Sequence, residues 1–176
     1  MAKAYVLMGC SLGHEKSIIS EIKSIENVKE VHGTLGLYDI IAKLEADSDE
    51  KITQTVTDKI RKVEKIGSTM TLMKVEGEEL FKVNREKLMG SLLGKNNAQA
   101  YIVIHCDQGK EDLVLRDLNE IPEVKEADIV YGSYDLVGKI ESETYKELEN
   151  IITKKIRKLK FVRTTMTLTV VQEQGY

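Results

Sequence analysis

The 176-residue sequence has only two cysteines, Cys10 and Cys106, and no Cys-x-x-Cys spacing. That excludes a disulfide framework and suits a reducing compartment. Neither sign of charge dominates: 26 basic side chains stand against 29 acidic ones for a net of −3, so no global positive field draws in nucleic acid or an anionic membrane. Direct nucleic-acid binding would need a local patch. No apolar run approaches the roughly 20 residues that span a bilayer, and Met1-Ala2-Lys3 leads straight into patterned sequence rather than a signal peptide. These absences predict a soluble cytoplasmic protein with no membrane partner. Phosphate-cradling loops and nucleotide fingerprints are missing as well. What the chain does have is 41% apolar residues, enough to build a real core and incompatible with a fully disordered chain.

That apolar sequence is written twice. At an offset of 96, residues 4 to 75 align with 100 to 171 without a gap, and 24 of the 72 positions are identical. The matches include Tyr5/Tyr101, Cys10/Cys106, Gly13/Gly109, Gly36/Gly132, Tyr38/Tyr134 and Asp39/Asp135, together with Thr69-Met70-Thr71-Leu72/Thr165-Met166-Thr167-Leu168. Two copies of one domain, 1–75 and 100–176, are therefore expected, joined by 76–99. In that linker Leu80, Phe81, Leu88, Met89, Leu92 and Leu93 suggest a partly amphipathic helix ending near Gly94.

Within each copy the hydrophobic period alternates between strand and helix. Residues 4–10 and 100–106 are apolar runs too short for a helix and rich in strand formers. Ile18, Ile19, Ile22 and Ile25, echoed by Val114, Leu115, Leu118 and Ile121, recur at helical spacing. Val28–Leu35 and Tyr38–Glu45 read as a hairpin about Gly36, repeated about Gly132. Ile52, Val56, Ile60 and Val63, matched by Leu148, Ile152, Ile156 and Leu159, give a second helix, and Thr-Met-Thr-Leu a last strand. Each copy is thus expected to be βαββαβ, the ferredoxin-like α+β arrangement.

In such a fold both helices cover one sheet face. Strand one (Tyr5, Val6, Leu7, Met8) and strand three (Ile40, Ile41, Leu44; Leu136, Val137, Ile140) are apolar at adjacent positions, which predicts burial of the other face too, through sheet-on-sheet packing of the dimeric α+β barrel type. In the last strand Met70/Leu72 and Met166/Leu168 share one face. The threonines Thr69/Thr71 and Thr165/Thr167 are expected on the outward face, as an interface or a polar pocket wall.

A metal or nucleophile built from Cys10, His14, His32, His105 and Cys106 is not expected, because only the cysteines recur at equivalent places: His14 aligns with Lys110, His32 with Asp128 and Gly9 with His105. His105 and Cys106, the one close pair, point to opposite strand faces. The basic stretches Lys59–Lys62 and Lys154–Lys160 close the second helix of each copy, where cations complement the helix dipole.

The pattern carries a family resemblance. A βαββαβ unit with Gly-x-Tyr-Asp at the hairpin (Gly36-Leu37-Tyr38-Asp39 and Gly132-Ser133-Tyr134-Asp135) and Thr-x-Thr opening the last strand resembles the effector-binding (RAM) domain of the leucine-responsive/asparagine-synthesis (Lrp/AsnC) regulators. The resemblance covers both repeats. Members that act as repressors or activators begin with a helix-turn-helix domain, whereas here the first strand starts near residue 4, so the chain resembles a stand-alone effector domain, duplicated. The resemblance implies a domain that dimerises through its sheets, assembles further, and binds amino-acid-like effectors at subunit interfaces near the hairpin. Carried over, the ligand-binding candidates are Gly36, Tyr38, Asp39, Thr69 and Thr71, with Gly132, Tyr134, Asp135, Thr165 and Thr167.

Each also has a plainer reading. The glycines can serve the turn's positive φ, the tyrosines can pack beside the hairpin, the aspartates can bond backbone, and the threonines are good strand formers. The expectation is a non-enzymatic regulatory module without resident cofactor or metal, forming homo-oligomers or mixed oligomers with DNA-binding relatives. The alternatives are a small oxygenase-like enzyme on a dimeric α+β barrel and a purely structural adaptor.

Overall fold

The computed structural model describes residues 1–76 and 97–175. The helix expected within 76–99 falls on 77–96, outside them. Contacts divide the chain into two compact units, Met1–Glu76 with Val170–Tyr176, and Gly77–Thr169.

The first unit runs β1 (Ala2–Cys10), α1 (Glu15–Lys23), β2 (Val28–Leu35), β3 (Ile40–Ala46), α2 (Asp49–Thr55) and β4 (Ile66–Lys74). Between α2 and β4 the helix continues as one π-helical segment, Val56–Ile60. In the second unit β5 (Ala98–Cys106), α3 (Glu111–Asn119), β6 (Val124–Tyr131), β7 (Leu136–Ser142), α4 (Tyr145–Ile151), a π segment (Ile152–Ile156) and β8 (Val162–Gly175) repeat the plan. β1 lies between β3 and β4, and β2 lies outside β3, all neighbours antiparallel. β5 sits likewise between β7 and β8, with β6 beyond β7. This is the split βαβ order expected from the alternating period.

Local chemistry sets the boundaries. Ser48 and Thr144 cap the second helices, their hydroxyls accepting from Lys51 and Glu147 N–H at 3.3 and 3.2 Å. The third strands begin at Ile40 and Leu136, two residues later than the hydrophobic pattern suggested, because Tyr38, Asp39 and their counterparts form the end of the turn.

The helices bury one sheet face. Ile18, Ile19 and Ile22 of α1, Ile52 of α2 and Val56 of the π segment pack with Ala4, Val6, Met8, Ile40, Ala42 and Leu44, and the second unit builds the same cluster around Ile102 and Ile104. Burying each such Ile or Leu side chain contributes about 1.5–3 kcal/mol. Register places Tyr5 opposite Leu72 and Leu7 opposite Ile41 on the other face, and all four are buried. Tyr101, Val103, Val137 and Leu168 repeat this. Adjacent apolar positions in β1 and β5 are therefore buried on both sides.

Candidate ligand-binding site

The hairpin residues converge in each repeat. Gly36 and Gly132 adopt φ of 152° and 136°, a backbone region that side chains disfavour, and the chain then folds back onto the end of the first strand. Asp39 N–H donates to the Met8 carbonyl while its own carbonyl accepts from Thr34 N–H, both at 2.8 Å. The Asp39 carboxylate accepts from Cys10 N–H through Oδ2 at 2.9 Å. Asp135 repeats this on Cys106 N–H, also at 2.9 Å. Both bonds land where the β1–β4 and β5–β8 registers slip, at Gly9/Cys10 and His105/Cys106. A bulge leaves a backbone donor without a ladder partner, and the carboxylate supplies one. The aspartates thus staple the hairpin to the first strand, and among the described residues no hydrogen bond reaches Oδ1 of either.

The second repeat adds a group that the sequence argument had set aside. His105 Nδ1 lies 3.5 Å from Asp135 Oδ2, and its ring stacks on Tyr134 with centroids 4.4 Å apart. The first repeat has Gly9 there, and a Cβ at that point would come within 2.7 Å of the Ser68 hydroxyl. The two hairpin clusters are therefore chemically different.

The threonines lie elsewhere, and their expected outward placement is corrected. Thr69 and Thr71 stand opposite Met8 and Val6, and Thr165 and Thr167 opposite Ile104 and Ile102. All four partners belong to the helix-side clusters, so the threonine rows face the helices. The hairpin carboxylates lie with Gly9 and His105, on the opposite parity of the strand. Within one repeat the hairpin and threonine groups do not form a single pocket.

Each threonine row meets an arginine instead. The π turn, with its Arg61 N–H to Val56 carbonyl bond of 2.9 Å and Arg157 N–H to Ile152 bond of 2.9 Å, carries the arginine over the sheet. Arg61 Nε donates to Thr69 Oγ1 at 3.0 Å, and Arg157 Nε to Thr165 Oγ1 at 2.9 Å. π turns often mark functional places. The signal was available: both arginines are identical across the repeats and precede the threonine by eight residues.

In the second repeat this arrangement borders an open cleft of about 360 Å3 between α4 with its π segment and β8. Leu148 and Ile152 form an apolar floor, Thr167 and Thr169 a hydroxyl-bearing wall, and Glu149 and Arg157 bring one charge of each sign. Such a cleft can hold a small molecule by burying an apolar part and pairing its polar ends.

The cysteines take no part in this chemistry. Burial, and after it the Asp39 charge, pushes the Cys10 thiol from 9.0 up to about 11; burial and Asp135 do the same for Cys106. Neutral thiols are poor nucleophiles, so iodoacetamide labelling at pH 8 is expected to be far slower than for a free cysteine and to accelerate only towards pH 11. The sign of the linked effect follows: the folded state holds these protons more tightly, so their contribution to stability is intact below pH 9 and is lost as pH rises through about 11. Urea midpoints across that range measure it; a flat profile would contradict buried thiols. Among the described residues no cluster of three or more His, Cys, Asp or Glu side chains could hold a metal ion, and no helix is long and apolar enough to cross a membrane.

The Lrp/AsnC ligand binding domain matches residues 3–76 and again 99–174. The chain belongs to that family, with the domain present twice. A helix-turn-helix-type transcriptional regulator of Pyrococcus abyssi is 34% identical over 79 residues, covering 44% of this chain and 50% of the regulator. The chain spans about half the length of the curated relatives it matches. Among solved structures, the siroheme decarboxylase NirDL shares the fold over 96% of this chain and 71% of its own, at a TM-score of 0.70 and 11% identity. A chlorite dismutase mutant from Candidatus Nitrospira defluvii does so over 97% and 90%, at 0.57 and 13%. The fold class is α+β, a pair of ferredoxin-like repeats of the kind that builds dimeric α+β barrels.

Proposed function

We propose that this chain is a non-enzymatic regulatory module that binds an amino acid or related metabolite in the cytoplasm and acts through its assembly state, as homo-oligomers or in mixed oligomers with DNA-binding relatives. The observation that carries this reading is the cleft under α4 in a domain of a ligand-binding family, where Arg157 and Thr167 stand over an apolar floor. Arg157 spends Nε on Thr165, which leaves its terminal nitrogens to meet a ligand carboxylate. Because Gly36, Tyr38, Asp39, Gly132, Tyr134 and Asp135 lie across the sheet from the threonines, they complete a ligand site from a neighbouring copy rather than from their own repeat. Leu35 and Leu37 beside Gly36 are 67% and 75% exposed, which suits a hairpin that contacts another chain.

The fold alone does not choose between regulator and enzyme; the family and the cleft support the regulator reading. Calorimetry against the twenty amino acids is expected to show saturable binding for at least one, reduced at least tenfold by Arg157→Met. Light scattering after size exclusion should show a different assembly with that amino acid present. No heat across the panel, or binding with no change of mass, would remove the sensor reading. Saturable haem binding by the same protein would favour an enzyme instead.

A further inference from the structure

The repeats align without a gap, so each residue lining the cleft has a counterpart in the first repeat. Leu148, Ile152, Arg157 and Thr167 correspond to Ile52, Val56, Arg61 and Thr71, which preserve the character of floor, cation and wall. Thr169 corresponds to Met73. Both occupy the same register, Thr169 opposite Ala100 and Met73 opposite Ala4, so both side chains leave the sheet towards the second helix. Met73 is only 7% exposed and packs in the cluster that contains Ile52 and Val56. Thr169 is half-buried and lines the cleft. A thioether chain fills, in one repeat, the space that a short hydroxyl leaves open in the other.

The acidic side differs as well. Glu149 of the cleft aligns with Thr53 and the cleft residue Tyr145 with Asp49, so the carboxylate stands eight residues before Arg157 in the second repeat but twelve before Arg61 in the first.

We propose that the two repeats have divided the work: the second takes one ligand per chain in the α4–β8 cleft, and the first has had the corresponding cleft closed by Met73. The ligand is a small zwitterion with an apolar side chain, its carboxylate on Arg157, its ammonium towards Glu149 and its apolar part on Leu148 and Ile152. This rests on the regulatory reading above and specifies which half does the sensing. The first repeat then contributes its hairpin and its fold, and no second equivalent of ligand.

Methyl NMR on the full chain, titrated with each of the twenty amino acids, tests it. For any amino acid that binds, the Leu148 and Ile152 methyls are expected to shift saturably while those of Ile52 and Val56 stay in place, with one equivalent bound per chain. Thr169→Met is expected to weaken binding at least tenfold, and Met73→Thr to add a second equivalent with shifts at Ile52 and Val56. Filling the open cleft with Thr169→Met needs no core deletion, so it decides the question even if Met73→Thr does not fold. Equal wild-type shifts in both repeats, or unchanged affinity in Thr169→Met, would overturn the division of work and leave the sensor reading intact. No shift at any of these methyls with the whole panel would overturn both.

Discussion

Replacing Tyr101 by alanine is expected to lower the unfolding free energy by about 3–5 kcal/mol, the cost of deleting a large buried aromatic side chain, and Tyr5→Ala by the same amount. The helix-side comparator, Ile102→Ala, is expected to cost about 2–5 kcal/mol. Tyr101 and Ile102 are neighbours in β5 with opposite orientations, and both are essentially inaccessible. Ile102 faces α3 and α4 within the second unit's core. Tyr101 faces the other way, opposite Leu168 and Lys139, with the Lys139 ammonium 5.7 Å from its ring centroid. A four-stranded sheet with helices on one side and water on the other would lose little at Tyr101, because an exposed ring exchanges its contacts for water. Urea unfolding of the three variants separates the cases. A cost below about 1 kcal/mol at Tyr101 beside a full cost at Ile102 would mean that the helix-free face is not a packed interior.

That second buried face was legible in the sequence for the same reason the threonine rows were misplaced. In β1 the residues Tyr5, Val6, Leu7 and Met8 are apolar without alternation, which announces burial on both sides. The same uniformity removes the marker that would say which parity meets the helices. The last strand does alternate, so Met70/Leu72 and Thr69/Thr71 separate correctly, but a strand's period carries no label for the helical side. Only the register against Val6 and Met8 supplies it.

The second helix shows a different limit. Ile52, Val56 and Ile60, like Leu148, Ile152 and Ile156, recur at a steady spacing of four, slightly longer than the helical period of 3.6 and equally compatible with a local π turn. Reading the following cations as a dipole-complementing helix end accounted for their charge and hid the geometric use of Arg61 and Arg157. His105 was lost by the repeat argument itself: the absence of a counterpart was weighed only against a metal site, yet that same absence is what distinguishes the second hairpin cluster from the first. Comparison of repeats finds what both halves need and passes over what only one half does.

Asp135→Ala, and Asp39→Ala in the first repeat, are each expected to cost about 1.5–3 kcal/mol, because each removes the charged acceptor of a strand-end N–H and leaves that donor without a partner. The carboxylate bonds to Cys10 N–H and Cys106 N–H, both 2.9 Å, join the hairpin to the bulge that ends the first strand. Asparagine keeps a neutral acceptor of nearly the same shape, so Asp135→Asn is expected to lose about half as much. Asp135 also lies beside His105, whose ring rests on Tyr134, so its removal frees a histidine as well as a backbone donor, whereas Asp39→Ala has no such consequence next to Gly9. Urea midpoints for the three variants test the staple: equal stability of wild type and both alanine variants would refute it. The same set separates staple from ligand contact, because a purely structural aspartate gives ligand affinities that follow hairpin stability, with Asp135→Asn between wild type and Asp135→Ala. An aspartate that receives a ligand ammonium through Oδ1 instead loses affinity in Asp135→Asn as fully as in Asp135→Ala, while the asparagine variant keeps much of its stability.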